Sequence, residues 1–201
     1  MHWKSLEHIF KPIILGSASP RRKELFSCLF EKFELISTDE ELYQQDGDAI
    51  DFAMRNALFK ANKIHESANK SNKQGSLFTF DTVVTYEDRI LGKPSDLNEA
   101  RSMLLELRAK CHQVITSYCL FDLAQGTVIL NSYSSTDVKF RNYSDSMLDD
   151  YLMTKEGLDK AGAYGIQGYG RMLVESINGC YFNVVGLPVA ALFNDLTKID
   201  I

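Results

Sequence analysis

The chain has 201 residues, enough for one domain with a substantial core. Apolar residues make up 45% and charged residues 24%, ordinary for a globular protein and not those of a disordered chain, one short polar stretch apart. The net charge of −5 disfavours binding along a nucleic-acid backbone, so no nucleic-acid partner is expected.

Met1 to Lys11 reads as a ragged N-terminal extension without the apolar run of a signal peptide. Pro12 to Leu15 reads as a buried strand, broken by Gly16-Ser17-Ala18-Ser19. A helix starts at Pro20, with Ser19 as its N-cap. Phe33 to Ser37 predicts a second strand and Thr38 to Gly47 an acidic loop. Ile50, Ala53, Met54, Ala57, Leu58, Ala61 and Ile64 recur at helical spacing, which predicts an amphipathic helix over 48–65. Glu66 to Ser76 is rich in Ser, Asn, Lys and Gly and reads as a mobile loop.

Leu77 to Tyr86, rich in β-branched and aromatic residues, reads as a strand that turns at Glu87-Asp88 into Ile90-Leu91. A helix is expected over 97–107, then two long strands over 113–122 and 127–140, joined by a turn at Ala124-Gln125-Gly126. Ser144 caps a helix to about Lys155, and Leu158 to Gly170 is glycine-rich and built of turns. Met172–Ile177 and Cys180–Val185 read as a hairpin about Asn178-Gly179, and a last helix spans 188–198.

Interspersed strands and helices, with hairpins among them, predict a mixed α/β domain over 1–201. The four cysteines are far apart and the four histidines show no metal spacing, so neither a disulfide framework nor a zinc site is expected. No apolar stretch of ~18 residues occurs, so no membrane partner is expected. Asn69-Lys-Ser71 and Asn142-Tyr-Ser144 match the glycosylation pattern, which has no meaning for the cytoplasmic location these absences favour.

Ser17-Ala18-Ser19-Pro20-Arg21-Arg22 places two arginines in the first turn of a helix, where the macrodipole disfavours cations. A capping box would put Glu or Gln at Arg22. Free helix N–H groups, two hydroxyls and two guanidinium forks suit a phosphate chain. The competing reading has the arginines reaching solvent or pairing with acids such as Glu24. Asp81 interrupts an apolar strand, so it sits at a strand end, faces solvent, pairs with a cation or binds a metal such as magnesium. Lys60 lies on the second helix and Lys93 in Gly92-Lys93-Pro94; either lysine alone fits an ordinary surface position. Glu41 sits in the acidic run Asp39-Glu40-Glu41, which by itself fits a solvated loop. In Lys160 to Gln167 small residues crowd a Tyr and a Gln, which fits backbone passing close to a ligand or a tight structural turn. There is no Walker motif, dinucleotide fingerprint or nucleophile elbow.

Taken in order, Ser17–Arg22, Glu41, Arg55 to Lys60, Asp81-Thr-Val-Val84, Lys93-Pro94, His112-Gln-Val114, Thr136-Asp-Val138, Asp159 to Gln167 and Val184-Val-Gly-Leu-Pro188 resemble the Maf family of nucleotide pyrophosphatases across almost the whole chain. The resemblance implies an inosine-triphosphatase-like α/β fold with a strongly bent central sheet, two lobes and a cleft. It implies hydrolysis of a nucleoside triphosphate to the monophosphate and pyrophosphate with a divalent metal, Mg or Mn, and a homodimer. Tyr164-Gly-Ile-Gln167 is similar to the branch that prefers dTTP and UTP, and Arg21, Thr82 and Gln167 fall on positions that select the base. Phe80 departs from the family, where a small residue usually precedes the catalytic aspartate. Placing Glu41 requires a one-residue shift in the loop after Asp39.

The expected site combines both lines. Ser17, Ser19, Arg21, Arg22, Thr82 and Gln167 bind the nucleotide; Lys60 and Lys93 balance charge; Glu41 and Asp81 hold the metal; Asp81 activates the water. Two rival readings are a nucleotide-binding regulator that no longer hydrolyses, kept open by Phe80, and a pure protein-interaction domain.

Overall fold

The computed structural model describes residues 6–38, 40–42, 48–69 and 72–199. Asp39, residues 43–47 of the acidic loop, and Ser71 of one glycosylation pattern lie outside them. In chain order the elements are α1 (Leu6–Ile9), β1 (Ile13–Gly16), α2 (Pro20–Phe26), β2 (Glu34–Leu35), α3 (Ala49–Asn69), β3 (Ser76–Tyr86), β4 (Arg89–Leu91), α4 (Leu97–Leu107), β5 (Cys111–Asp122), β6 (Thr127–Phe140), α5 (Asp145–Met153), β7 (Val174–Asn178), α6 (Tyr181–Val185) and α7 (Val189–Leu196). One seven-stranded sheet runs β2-β1-β3-β5-β6-β7, with β4 paired to β3. The β1–β2 and β1–β3 pairs are parallel; β3–β4 and β6–β7 are antiparallel. This is the mixed α/β class expected. The chain divides into two compact units, one of residues 1–81, 116–134 and 186–201, the other of 82–115 and 135–185.

In the first unit the alternation of β3 decides what lies on each face. Phe78 and Phe80 are buried on one side, where their rings meet Phe26 at 5.3 and 6.2 Å. Phe10 joins this cluster against Phe78, and Leu6 is also buried, so residues 6–10 are docked rather than ragged. Leu77 and Thr79 point to the other side, toward α3. There Ala53, Ala57 and Ala61 repeat every four residues and are fully buried, so the helix backbone comes close to the sheet. Thr79 Oγ1 donates to Ala57 O at 2.7 Å and Ser117 Oγ donates to Ala53 O at 2.6 Å. α3 runs past the expected end at 65 because Ala68 extends the buried stripe.

The second unit has its own core, built on Leu104, Leu107, Val138, Phe140, Leu148 and Tyr164. Glu87 and Asp88 both adopt positive φ, as a two-residue turn between β3 and β4 requires. The expected hairpin about Asn178-Gly179 is wrong in its second arm. β7 is a strand, but residues 181–185 form α6. The cause is Asn183, fully buried, whose amide donates to Val114 O at 2.8 Å and to Thr136 Oγ1 at 3.0 Å. A winding backbone delivers that amide inward, and two satisfied buried bonds outweigh the strand propensity of Tyr181, Phe182, Val184 and Val185.

His112, at the start of β5, is buried and lies 2.8 Å from Tyr164 Oη through Nε2. Both rings pack against Phe140, at 4.8 and 4.7 Å. Burial lowers the His112 pKa to about 4 and raises that of the Tyr164 phenol, so both partners are neutral near pH 7. The unfolded chain therefore binds a proton at His112 that the folded chain refuses between pH 6.5 and about 4. Stability falls as pH drops through that window, by up to about 3 kcal/mol from this residue. Urea unfolding from pH 7 to 4 is expected to give a flatter stability curve for His112→Phe than for the parent chain; equal slopes would contradict the assignment.

Candidate active site

The face of β3 that carries Thr79 also carries Asp81, two residues on. On α3, Lys60 lies one turn beyond Ala57, the acceptor of Thr79. The two contacts share one register, and Lys60 Nζ donates to Asp81 Oδ1 at 2.7 Å. Both side chains are nearly excluded from solvent, at 9% and 8% exposure. Lys60 Nζ also reaches Glu41 Oε1 at 3.2 Å. Glu41 is held by an α3 residue the sequence reading passed over: buried Asn56 accepts from Leu42 N–H through Oδ1 at 3.0 Å. Glu40 pairs instead with Lys63, one turn further along α3. The geometry therefore favours Glu41 over Glu40 as the partner of Asp81.

Arg22 approaches the same cluster from α2. Ser19 caps that helix as expected, accepting from Arg22 N–H at 3.4 Å. The guanidinium Nε donates to Gly186 O at 2.9 Å, and Nη1 donates to Ser17 Oγ at 3.4 Å. Burial lowers the Arg22 pKa, Asp81 and Glu41 pull it back up, and neighbouring Arg21 pushes it down. Arg22 thus feels both carboxylates, and the four charges of Arg22, Lys60, Asp81 and Glu41 cancel. Gly186 belongs to the Val184–Pro188 segment, but nothing local to that segment marks its carbonyl as the anchor for Arg22.

Phe80 adds a floor beneath this group. Its ring is fully buried in the aromatic cluster and Arg22 Cζ stands 5.8 Å from its centroid, within cation–π range.

The second unit carries Thr82, Lys93 and Gln167. Thr82 follows Asp81 on β3, so it projects to the opposite face. Lys93 is exposed, and the loop bearing it is tied to the 160–167 turn by Gly162 N–H donating to Gly92 O at 3.1 Å. Gln167 is half-buried. Of the two alternatives for residues 160–167, the structural one holds at Gly162: it adopts a φ of 68°, and a Cβ there would lie 3.0 Å from the Val84 side chain, so that glycine serves the turn's own packing.

Among the described residues no group of three or more His, Cys, Asp and Glu is arranged for a metal. Asp81 and Glu41 converge on a single ammonium nitrogen. Two carboxylates fit magnesium or manganese, which take oxygen ligands and complete their shell with water and substrate phosphates.

Removing the Lys60 ammonium leaves the buried Asp81 carboxylate without its closest partner. Lys60→Met is expected to lose about 3 kcal/mol of stability at pH 7, and a second change, Asp81→Leu, to recover most of it. Urea titrations of the two variants check this; an unchanged midpoint for Lys60→Met would show that the pair is not buried in solution.

The model for Maf-like protein matches residues 12–199. A dTTP/UTP pyrophosphatase of Clostridioides difficile (strain 630) is 43% identical over 187 residues, covering 92% of this chain and 93% of that protein. A dTTP/UTP pyrophosphatase of Pyrococcus furiosus is 42% identical over 182 residues, covering 90% and 92%. A HAM1 protein from Coxiella burnetii superposes with a TM-score of 0.46 at 13% identity over 92% of this chain and 98% of that one. Matched from residue 12 to residue 199, this chain belongs to the Maf family.

Proposed function

We propose that the chain hydrolyses nucleoside triphosphates between the α- and β-phosphates, with dTTP and UTP as preferred substrates. The names of its relatives at about 40% identity support the reaction and the base. The observation that carries the reading is the buried pair of Asp81 and Lys60, joined by the more exposed Glu41 and with Arg22 beside it.

Asp81 accepts the proton of a water whose oxygen attacks the α-phosphorus. The new P–O bond forms as the bond from the α-phosphorus to the bridging oxygen breaks, and pyrophosphate leaves with that oxygen. Arg22, Lys60 and Lys93 offset the negative charge of the phosphate chain, which concentrates on the leaving group. Arg22 is already oriented by Gly186 O and Ser17 Oγ, so little reorganisation is needed when substrate binds. Ser17 and Ser19 contribute hydroxyls, while Arg21, Thr82 and Gln167 select the base, as the resemblance implies. Glu41 and Asp81 would hold a divalent cation, Mg or Mn, which supplies Lewis-acid polarisation of the phosphate oxygens when bound.

The regulator reading rested on Phe80, and that ring lies in the aromatic core. The same proposal takes the protein as cytoplasmic and homodimeric. Among the described residues no helix is long and apolar enough to cross a membrane.

Pyrophosphate release from dTTP, UTP, CTP and a methylated guanine triphosphate, with magnesium, manganese or no metal, tests this. Metal-dependent release from dTTP and UTP is expected. Asp81→Asn is expected to lower turnover by at least about a hundredfold while remaining folded. Normal turnover in a folded Asp81→Asn chain would remove Asp81 from the chemistry.

A further inference from the structure

Glu156 lies just beyond α5, eleven residues before Gln167, and the reaction proposed above gives it no role. Its carboxylate accepts two backbone N–H groups with separate oxygens: Tyr169 N–H to Oε2 at 2.6 Å and Gly170 N–H to Oε1 at 3.1 Å. These are the first N–H groups of a short 3-10 turn, Tyr169–Met172, whose own N-cap, Gly168, offers no side chain. A carboxylate at such a position gains from the charge and from both bonds.

The half-buried carboxylate lies tight against Gly168. A Cβ on Gly168 would lie 2.0 Å from Glu156 Oε2, so a side chain there would push the carboxylate off its two N–H partners. The near end of the loop is fixed as well, because Lys160 Nζ donates to Glu156 O and to Asp159 Oδ1, both at 2.5 Å. One residue thus binds the start of the turn through its carbonyl and the end through its carboxylate. Gln167 sits between these two anchors, next to Gly168.

We infer that Glu156 is a positioning residue for base recognition: its carboxylate holds the peptides following Gln167 and so sets where the Gln167 amide stands. The inference rests on the reading of Gln167 as a base-selecting residue. Glu156→Gln keeps the size but turns one acceptor into an NH2 group facing a backbone N–H, which undoes one of the two bonds.

The test is steady-state kinetics with UTP and CTP for the parent chain, Glu156→Gln, Gln167→Ala and the double variant. Expected is a rise in KM for UTP of about tenfold in Glu156→Gln, with kcat nearly kept and a comparable fall in the UTP over CTP ratio of kcat/KM. The double variant is expected to be no worse than Gln167→Ala alone, since both changes remove one function. If Gln167→Ala shifts the ratio but folded Glu156→Gln changes only the melting temperature, Glu156 is a structural staple and the inference is overturned. If Gln167→Ala leaves the ratio unchanged, the base-selecting reading itself is overturned. Should Glu156→Gln not fold, Gly168→Ala displaces the same carboxylate by its added Cβ; it is expected to shift the ratio in the same direction, and an unchanged ratio overturns the inference.

Discussion

One ammonium group between two carboxylates governs the first unit. Lys60 and Asp81 are withdrawn from water, and a buried charge is tolerated only when it is paired and well placed. That demand sets the approach of α3 to the sheet. The fully buried alanines at 53, 57 and 61 let the helix come close, and the hydroxyls of Thr79 and Ser117 tie its backbone to β3 and β5. With the register fixed in this way, Asp81 and Lys60 meet without a long reach, and Asn56 brings Glu41 to the same nitrogen. Arg22 is then oriented by Gly186 O and Ser17 Oγ, with the Phe80 ring beneath it. The result is a set of positive groups that are already arranged and of carboxylates close enough to share one cation.

The second unit is ordered by a different device. Its glycine-rich turn closes on itself, with Glu156 and Lys160 holding its ends and Tyr164 anchored beneath by His112. The link from Gly162 to Gly92 joins that turn to the loop of Lys93. A turn closed in this way keeps its shape before any ligand arrives, which would limit the ordering entropy lost if it binds one.

Local rules made much of this legible in advance. Ser19 before Pro20 caps α2, Glu87-Asp88 turns β3 into β4, and the helical recurrence of apolar residues over 50–64 marked the amphipathic α3. For the aspartate inside the apolar run of β3, pairing with a cation was one of four alternatives, and it is Lys60 that pairs with it. Asn56 could have been noticed in the same way, as a polar residue within the buried stripe of α3. What escaped depends on contacts distant in sequence. Residues 181–185 look like a strand until Asn183 is seen to satisfy Val114 and Thr136, 69 and 47 positions away. Glu156 gives no local sign that its oxygens hold Tyr169 and Gly170. Leu6 and Phe10 read as part of a loose terminus until their burial is known.

The central claim is that the Asp81 cluster directs water onto the α-phosphorus. Hydrolysis of UTP in oxygen-18 water, with mass analysis of both products, tests it most directly. The account predicts one labelled oxygen in the monophosphate and none in pyrophosphate. Label in pyrophosphate would place the attack at the β-phosphorus and contradict it.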